Sequence, residues 1–250
     1  MTLTSINSFS NNTVIKIGEL NNSNSSRGVA EKFLGKSKSN NEIGVIKFPI
    51  HKYSYDCINE LVVYDLCCLF GIRCCVASKE VYNGKECIMS HFYKDGNFIS
   101  CRKLINSNDL NKFNNLFNMK YLKDNVGDSA VSDFVKMIFI DYLTRQEDRH
   151  INNFGFIENR MYPLFDNGRC LFFEDLDDEI PSGNYDALNY LVNNEHGYGY
   201  AFLDLHLDLL KDLPKIVYDD LLEITSEYYN CHRAELLAKF IFNNYKALFI

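Results

Sequence analysis

A run of polar residues between two apolar segments constrains the fold of this chain more than any other feature. The run, "QEDRHINNFGFI", extends from Gln146 to Ile157. Before it, residues 129–146 have apolar side chains at helical spacing, which predicts a largely buried helix. After it, residues 153–157 and 161–166 predict two short strands. Because both flanking elements are apolar enough to be buried, the charged and amide groups between them are expected at the edge of the hydrophobic core.

The two short strands would bring oxygen-bearing side chains together at the open end of a hairpin. If Asn159 and Arg160 are the central residues of the turn, Asn153 lies opposite Asp166. Asp148 lies in the loop just before the first strand. Amide and carboxylate oxygens suit Mg²⁺, a hard cation that shares its coordination shell with substrate phosphates. The hairpin therefore predicts a magnesium site.

The spacing of these residues indicates phosphoryl transfer. Asp148 and Asn153 have the separation of the catalytic base and a metal ligand in the catalytic loop of kinases. Asp166-Asn167-Gly168 stands where the metal-binding motif would follow, although its middle residue differs. Such a site also needs a cation for the phosphates and an acid that positions the cation. Lys47, inside the apolar strand "GVIKFP", and Glu60, in the helix that follows, are the candidates.

Each candidate residue has a structural alternative when it is taken alone. Asp148 could cap a loop, Lys47 could be a solubilising edge-strand residue, and Glu60 could be a solvated helix position. His150 is expected to be a hydrogen-bonding scaffold of the loop, since Asp148 is the better-placed proton acceptor. The acidic run at 174–179 is expected to be a solvated loop. The order of the pieces along the chain, from the strand lysine to the D-x-G motif, favours a reaction centre.

The remaining pattern predicts an α+β chain. Before residue 93 there are three alternating, strand-like segments, a helix that ends at Gly71, and a hairpin with Asn83-Gly84 as its turn. Beyond about residue 100, apolar helical runs dominate. We therefore expect a small β-rich lobe at 1–93 and a larger, mostly helical lobe at 94–250, with a ligand cleft between them.

The composition limits which cellular compartment and which binding partners are expected for this protein. The net charge of −7 gives no global basic field, so no nucleic-acid partner is evident. No apolar run reaches the roughly 20 residues that a bilayer span needs, and the N-terminus lacks a signal-peptide pattern. The 9 cysteines, an odd number with adjacent pairs, predict reduced and mostly buried thiols. A soluble, cytoplasmic protein with no membrane partner is expected, and export as an effector is an open alternative.

The motifs resemble those of the HipA-like serine/threonine kinases, and especially the compact, stand-alone members of that family. "DRHINNFGFI" followed by "PLFDNG" resembles their catalytic and metal-binding loops. "IGVIKFP" resembles their strand with the ATP-contacting lysine, "NELVVYDLCCLFGI" the helix after it, and "SSRGVAEKF" the phosphate loop. The resemblance covers roughly residues 20–170.

This resemblance implies a two-lobed, protein-kinase-like fold that uses ATP and Mg²⁺ to phosphorylate Ser or Thr of a protein substrate. It implies that Asp148 is the catalytic base, within a loop that includes His150. Asn153 and Asp166 would bind magnesium. Lys47 would bind phosphate, and Glu60 would pair with it.

The resemblance also implies residues that bind the nucleotide. Backbone atoms near Ser90 and Phe92, in "IMSHF", would hold adenine. The phosphate loop would include Ser25, Ser26 and Gly28, with Ser25 at the position that is autophosphorylated in the family; Ser23 and Ser26 are alternatives. Dependence on an antitoxin partner stays open, because full-length HipA toxins are longer. Two other functions also stay open: a lipid or small-molecule phosphotransferase, and an inactive, kinase-like nucleotide-binding module.

Overall fold

The computed structural model describes most of the chain, namely residues 12–20, 31–93, 97–104, 119–181 and 206–249. The predicted phosphate-loop residues Ser25, Ser26 and Gly28, and the alternative Ser23, lie outside the described residues.

Five antiparallel strands form a sheet in the first part of the chain. They are β1 (Val14–Glu19), β2 (Lys32–Ser37), β3 (Ile43–Lys47), β4 (Ala77–Tyr82) and β5 (Lys85–His91). Their order in the sheet is β1-β2-β3-β5-β4, which places β3 between β2 and β5. The predicted hairpin joins β4 to β5, and its turn residues Asn83 and Gly84 have positive φ angles of 50° and 73°. Two successive positive φ angles are what a type I′ turn requires, so the Asn-Gly signal is confirmed.

One helix, α1 (Asp56–Phe70), lies between β3 and β4 along the chain. It ends at Gly71, as predicted, because glycine readily adopts the left-handed φ of 65° found there. Its residues Val62, Leu66 and Phe70 are buried in the same core as the later helices. Full burial of a large apolar side chain contributes roughly 1.5–3 kcal/mol. This packing fixes α1 against the helical part of the protein.

The second part of the chain is mainly helical. Its helices are α2 (Cys101–Leu104), α3 (Met119–Asn125), α4 (Asp128–Thr144), α5 (Tyr218–Tyr228) and α6 (Cys231–Phe249). Its strands are β6 (Phe98–Ser100), β7 (Gly155–Ile157) and β8 (Arg160–Met161), which form a three-stranded sheet in that order. Every residue from 137 to 144 of α4 is buried, so the predicted core helix is confirmed. The predicted α+β architecture, β-rich first and helical second, is confirmed as well.

The register of the β7–β8 hairpin differs from the predicted one by one residue in each strand. Ile157 pairs with Arg160, so Glu158 and Asn159 form the turn, and Glu158 takes the positive φ of 53°. Asn153 and Asp166 are therefore not cross-strand partners. The reason is a tertiary contact: Arg160 makes two hydrogen bonds, of 2.8 and 3.0 Å, to the carboxylate of Asp133 on α4. That contact holds Arg160 in the strand instead of the turn.

The acidic run at 174–179 is largely exposed, as expected, but it also contacts a buried arginine. Asp177 accepts a 2.8 Å hydrogen bond from Arg233 of α6, whose side chain is fully buried. Arg233 also donates to the carbonyl oxygen of Phe172 at 2.6 Å. A buried guanidinium requires a counter-charge and acceptors, and the acidic run supplies part of both.

Six of the nine cysteines are buried, and all nine are free thiols that fall within the described ranges. Across those ranges no helix combines the length and the apolar character needed to cross a bilayer.

Candidate active site

A cavity of about 480 Å³ lies between the five-stranded sheet and the β7–β8 hairpin. Its size is in the range typical of small-molecule sites. Five of the predicted site residues line it: Lys47, Ser90 and Phe92 from the sheet side, and Asn153 and Asp166 from the hairpin side. The structure thus brings together residues that are up to 119 positions apart in the sequence.

One cation that lines this cavity, Lys47, lies between two acids. The Lys47 ammonium is hydrogen-bonded to the Glu60 carboxylate, and it lies 2.7 Å from Oδ1 of Asp166. The side chains of Lys47 and Glu60 are only 13% and 3% exposed. Glu60 is therefore not the solvated helix residue of the alternative interpretation, and Lys47, on an interior strand, is not an edge residue.

The charges of the site keep Lys47 and Asp166 ionised. Burial lowers the pKa of Lys47, but the carboxylates of Asp166 and Glu60 outweigh it and raise that pKa above its usual value. The positive charge of Lys47 in turn lowers the pKa of Asp166 well below the usual carboxyl range, against the effect of burial. Lys47 and Asp166 are consequently both ionised at neutral pH.

Arg149 connects the two loops of the site. Its guanidinium is buried and forms a bidentate ion pair with Asp141 of α4. It also donates to the carbonyl oxygens of Asn153 and Phe165, at 3.0 and 2.9 Å, and to Oδ1 of Asn167 at 2.6 Å. One side chain thus ties together the core helix, the loop before β7 and the segment after β8. This explains how Asn153 and Asp166 share a cavity although the hairpin register does not pair them.

Asp148 and Asn153 are held in position by hydrogen bonds within their loop. The Asn153 amide nitrogen donates to the carbonyl oxygen of Asp148 at 2.8 Å, which leaves the amide oxygen as the atom that can act as a ligand. The backbone N–H of Asp148 donates to Gln146 at 3.0 Å. Among the described residues, the Asp148 carboxylate has no hydrogen-bond donor, and it is 30% exposed. It is free to accept a proton from a ligand.

His150 occupies the turn of this loop. Its Nδ1 accepts a hydrogen bond from the backbone N–H of Asn152 at 3.2 Å, and its backbone N–H donates to the Asp148 carbonyl at 2.9 Å. Its Nε2 lies 3.8 Å from the Asp148 carboxylate. These contacts favour the interpretation of His150 as a scaffold over a second proton acceptor.

The residues near the predicted adenine contact are partly engaged elsewhere. The Phe92 backbone N–H donates to the carbonyl oxygen of Ile43 at 2.9 Å, so it is not available to a ligand. The next N–H, that of Tyr93, donates to the hydroxyl of Tyr162 at 2.8 Å. Burial raises the pKa of Tyr162 to about 12, so its phenol stays protonated. Tyr162 joins Tyr93, Phe98 and Phe165 in an aromatic wall of the cavity.

Sequence reasoning missed that aromatic wall, and it also missed Asn59. Asn59 precedes Glu60 in α1, and its amide donates to the carbonyl oxygens of Gly168, at 3.1 Å, and Cys170. The hydroxyl of Tyr229 donates to the Asn59 oxygen. The side chains of "MYPLF" could have indicated the aromatic wall, but no local signal marks Asn59, because its partners lie more than 100 residues away.

The donor set at the cavity fits a magnesium ion with a nucleotide. Asn153 offers an amide oxygen and Asp166 a carboxylate, both hard ligands. Within the described ranges no group of three or more His, Cys, Asp and Glu side chains could hold a metal ion. Two protein oxygens suit Mg²⁺ better than a dedicated protein cage would, because Mg²⁺ retains water and phosphate ligands.

Two solved structures are similar to this fold. The crystal structure of the Helicobacter pylori proinflammatory kinase CtkA matches with a TM-score of 0.68 and 19% identity, over 93% of this chain and 94% of that one. HipA of Shewanella oneidensis MR-1, solved with HipB and its operator DNA, matches with a TM-score of 0.45 and 16% identity, over 88% of this chain and 63% of that one. No protein-family model and no curated protein sequence matches the chain. The chain therefore shares the fold of the kinase CtkA, which confirms at the level of the fold the resemblance that its motifs indicate.

Proposed function

We propose that this protein is an ATP- and magnesium-dependent serine/threonine protein kinase of the HipA-like type. The observation that carries the proposal is the Lys47 ammonium between the Glu60 and Asp166 carboxylates, in a cavity of about 480 Å³. Kinases need this lysine–glutamate pair beside a metal-binding aspartate. The likeness to the fold of CtkA supports it. In this proposal residues 1–93 form the nucleotide lobe and residues 94–250 the catalytic lobe.

Each side chain has a defined task in the proposed reaction. Lys47 binds phosphate oxygens, and Glu60, whose side chain is only 3% exposed, holds its ammonium in place. Asn153 and Asp166 would hold the magnesium ion. Bound Mg-ATP supplies the phosphoryl group, and its metal ion neutralises the charge of the phosphates. The wall formed by Tyr93, Phe98, Tyr162 and Phe165 gives the cavity an aromatic side against which a ligand can pack.

Asp148 is the proposed catalytic base. Its carboxylate is partly exposed, so an acceptor hydroxyl can reach it from solvent. Its backbone N–H donates to Gln146 and its carbonyl oxygen accepts from Asn153, and these two hydrogen bonds fix its place in the loop. The acceptor is a Ser or Thr of a protein, and Ser25 of this chain is one proposed acceptor. An antitoxin partner is compatible with this function but is not required by it. The proposed compartment is the cytoplasm.

The decisive experiment is mass spectrometry after incubation with Mg-ATP. The wild-type protein is incubated alone and then with generic protein, lipid and aminoglycoside acceptors. We expect phosphate on Ser or Thr, with the wild type and not with Asp148→Asn or Asp166→Asn. Transfer to lipid or aminoglycoside alone would contradict the protein-kinase proposal. Binding of Mg-ATP without transfer to any acceptor would indicate an inactive nucleotide-binding module.

A further inference from the structure

Arg169 lies beside the proposed catalytic base, although no motif in the sequence singles it out. It directly follows Gly168 of the metal-binding segment, and its carbonyl oxygen accepts a 2.9 Å hydrogen bond from the backbone N–H of Glu147. Glu147 adjoins Asp148. This backbone contact joins the metal-binding segment to the catalytic loop, and it places Nη1 of Arg169 3.8 Å from Oδ2 of Asp148.

The guanidinium of Arg169 lies near Asp148 but makes no hydrogen bond to it. It is 43% exposed, and its Cζ lies 5.9 Å from the centre of the Phe173 ring. A separation of 3.8 Å is too long for a hydrogen bond, so within the described part of the chain its N–H donors have no acceptor. Arg149 is the opposite case, because its guanidinium is buried and donates to four groups. Of these two arginines, Arg169 alone can bind an incoming anion.

The proposed reaction requires a cation at this place. The transferring phosphoryl group must pass between the metal ligand Asp166 and the base Asp148. Arg169 follows Asp166 by three residues in the chain and lies 3.8 Å from the Asp148 carboxylate. The negative charge of the transferring phosphoryl group is spread over three equatorial oxygens. A guanidinium matches two such oxygens through parallel N–H donors. Lys47 is enclosed by Glu60 and Asp166, so it does not fill this position.

We propose that Arg169 is a further catalytic residue, which donates hydrogen bonds to the phosphoryl group during its transfer. This inference rests on the proposed kinase function. In the step, a bond forms between the acceptor oxygen and the phosphorus, and the bond from phosphorus to the bridging oxygen of ATP breaks. The electron pair of that bond leaves with ADP, and Asp148 takes the hydroxyl proton. Arg169 neither gains nor loses a proton.

The kinetic test compares Arg169→Ala and Arg169→Lys with the wild type. Removing one such transition-state donor typically lowers kcat by about 10²–10³-fold. We expect that loss for Arg169→Ala, with the KM for ATP changed less than about threefold because the interaction belongs to the transition state. Arg169→Lys should be intermediate, since it retains charge but not the planar fork. Added guanidinium ion should restore part of the activity of Arg169→Ala and none of that of Asp148→Ala.

A matched control and a binding measurement separate catalysis from folding. Arg102→Ala removes another exposed arginine, one that lies on α2, and it should leave kcat unchanged. Calorimetry with Mg-ADP and aluminium fluoride, which mimics the transferring group, needs no acceptor. Arg169→Ala should weaken binding of this mixture at least tenfold and leave the affinity for Mg-ADP alone unchanged.

Each outcome bears on one of the two proposals. Suppose that the wild type transfers phosphate. If Arg169→Ala then has a rate within twofold of the wild type, or an equal affinity for the fluoride complex, the role of Arg169 is overturned and the kinase function is not. A loss of activity that guanidinium ion does not restore, together with weaker Mg-ADP binding, would make Arg169 a structural residue and also overturn it. A wild type that neither transfers phosphate nor binds Mg-ATP would overturn the kinase function, and this inference with it.

Discussion

Lys47 sets the charge balance of the site at the scale of single residues. One ammonium faces the carboxylates of Glu60 and Asp166, so the three groups together carry an excess of one negative charge. A divalent cation beside Asp166 would reverse that sign and attract phosphates. The low exposure of Lys47 and Glu60 limits screening by solvent, which makes these interactions stronger than those of a surface pair.

The pH dependence of stability follows from Asp166. Lys47 lowers the pKa of Asp166, and a carboxyl group whose pKa falls on folding stabilises the protein above its unfolded pKa, about 3.9. This contribution is lost as the pH falls toward the lowered pKa. The pKa of Lys47 is raised, so the ammonium persists throughout. The difference in free energy of unfolding between wild type and Asp166→Asn should be constant from about pH 5 to 9 and shrink below about pH 4.

Urea unfolding at a series of pH values measures this difference. Glu158→Gln is the control, because Glu158 is an exposed turn residue and its replacement should cause no comparable pH dependence. A difference for Asp166→Asn that did not change down to about pH 3 would contradict the ion pair with Lys47.

At the scale of elements, the position of helix α1 depends on contacts at both of its faces. Glu60 accepts a hydrogen bond from Lys47 of β3, while the Asn59 amide donates hydrogen bonds to the carbonyl oxygens of Gly168 and Cys170. Tyr229, at the end of α5, donates to Asn59 from behind. Gly168 also permits close packing, since a Cβ there would lie 2.7 Å from the carbonyl oxygen of Asp56. The C-terminal helices therefore help to hold the proposed lysine–glutamate pair in its bonded arrangement.

Asn59→Ala should loosen α1 and the segment at 166–171 together. It leaves the buried carbonyl oxygen of Cys170 without this donor and the Tyr229 hydroxyl without its acceptor, each worth about 1–3 kcal/mol, so we expect a loss of about 2–4 kcal/mol in unfolding free energy. Tyr229→Phe removes a single hydrogen bond and should cost about 1 kcal/mol. In both variants hydrogen exchange at residues 166–171 should be faster than in the wild type.

Tyr228→Phe is the matched control for Tyr229→Phe. The Tyr228 hydroxyl donates to Asp65 at 2.6 Å, in a part-buried contact that does not involve Asn59. Its replacement should leave hydrogen exchange at residues 166–171 unchanged. If both variants accelerated hydrogen exchange at residues 166–171 equally, α5 would stabilise the whole protein and not this segment in particular.

Local signals identified most elements, and long-range contacts account for the failures. Helix α1 with its glycine cap, the Asn-Gly hairpin and helix α4 follow from periodicity and turn chemistry alone. The register of the β7–β8 hairpin depends on the pairing of Arg160 with Asp133, and the ion pair of Asp177 in the acidic run depends on Arg233, more than 50 residues away. Neither partner can be chosen from the sequence, because many charged residues compete for each.

At the scale of the whole molecule, the cavity joins parts of the chain that fold into different elements. The sheet supplies Lys47, the segment after the core helix supplies Asn153, and the segment after the hairpin supplies Asp166. A ligand that bridges these groups would stabilise the native state as a unit, because it binds only where all three parts are in place. The spacing of the motifs could predict the residues, but not the size of the cavity or its aromatic wall, which depend on packing.

Mg-ATP should therefore raise the melting temperature of the whole protein, and removal of the metal should abolish most of the shift. At 100 times the Kd, binding adds about 2.7 kcal/mol, which corresponds to about 5–11 °C for a chain of this size. Differential scanning fluorimetry with ATP, with ATP and EDTA, and with Mg²⁺ alone measures the shift. Asp166→Asn should respond equally to ATP with and without Mg²⁺, since the carboxylate that is proposed to hold the ion is gone. A wild-type shift of the same size in EDTA would contradict a metal site at Asn153 and Asp166, even if the nucleotide itself binds in the cavity.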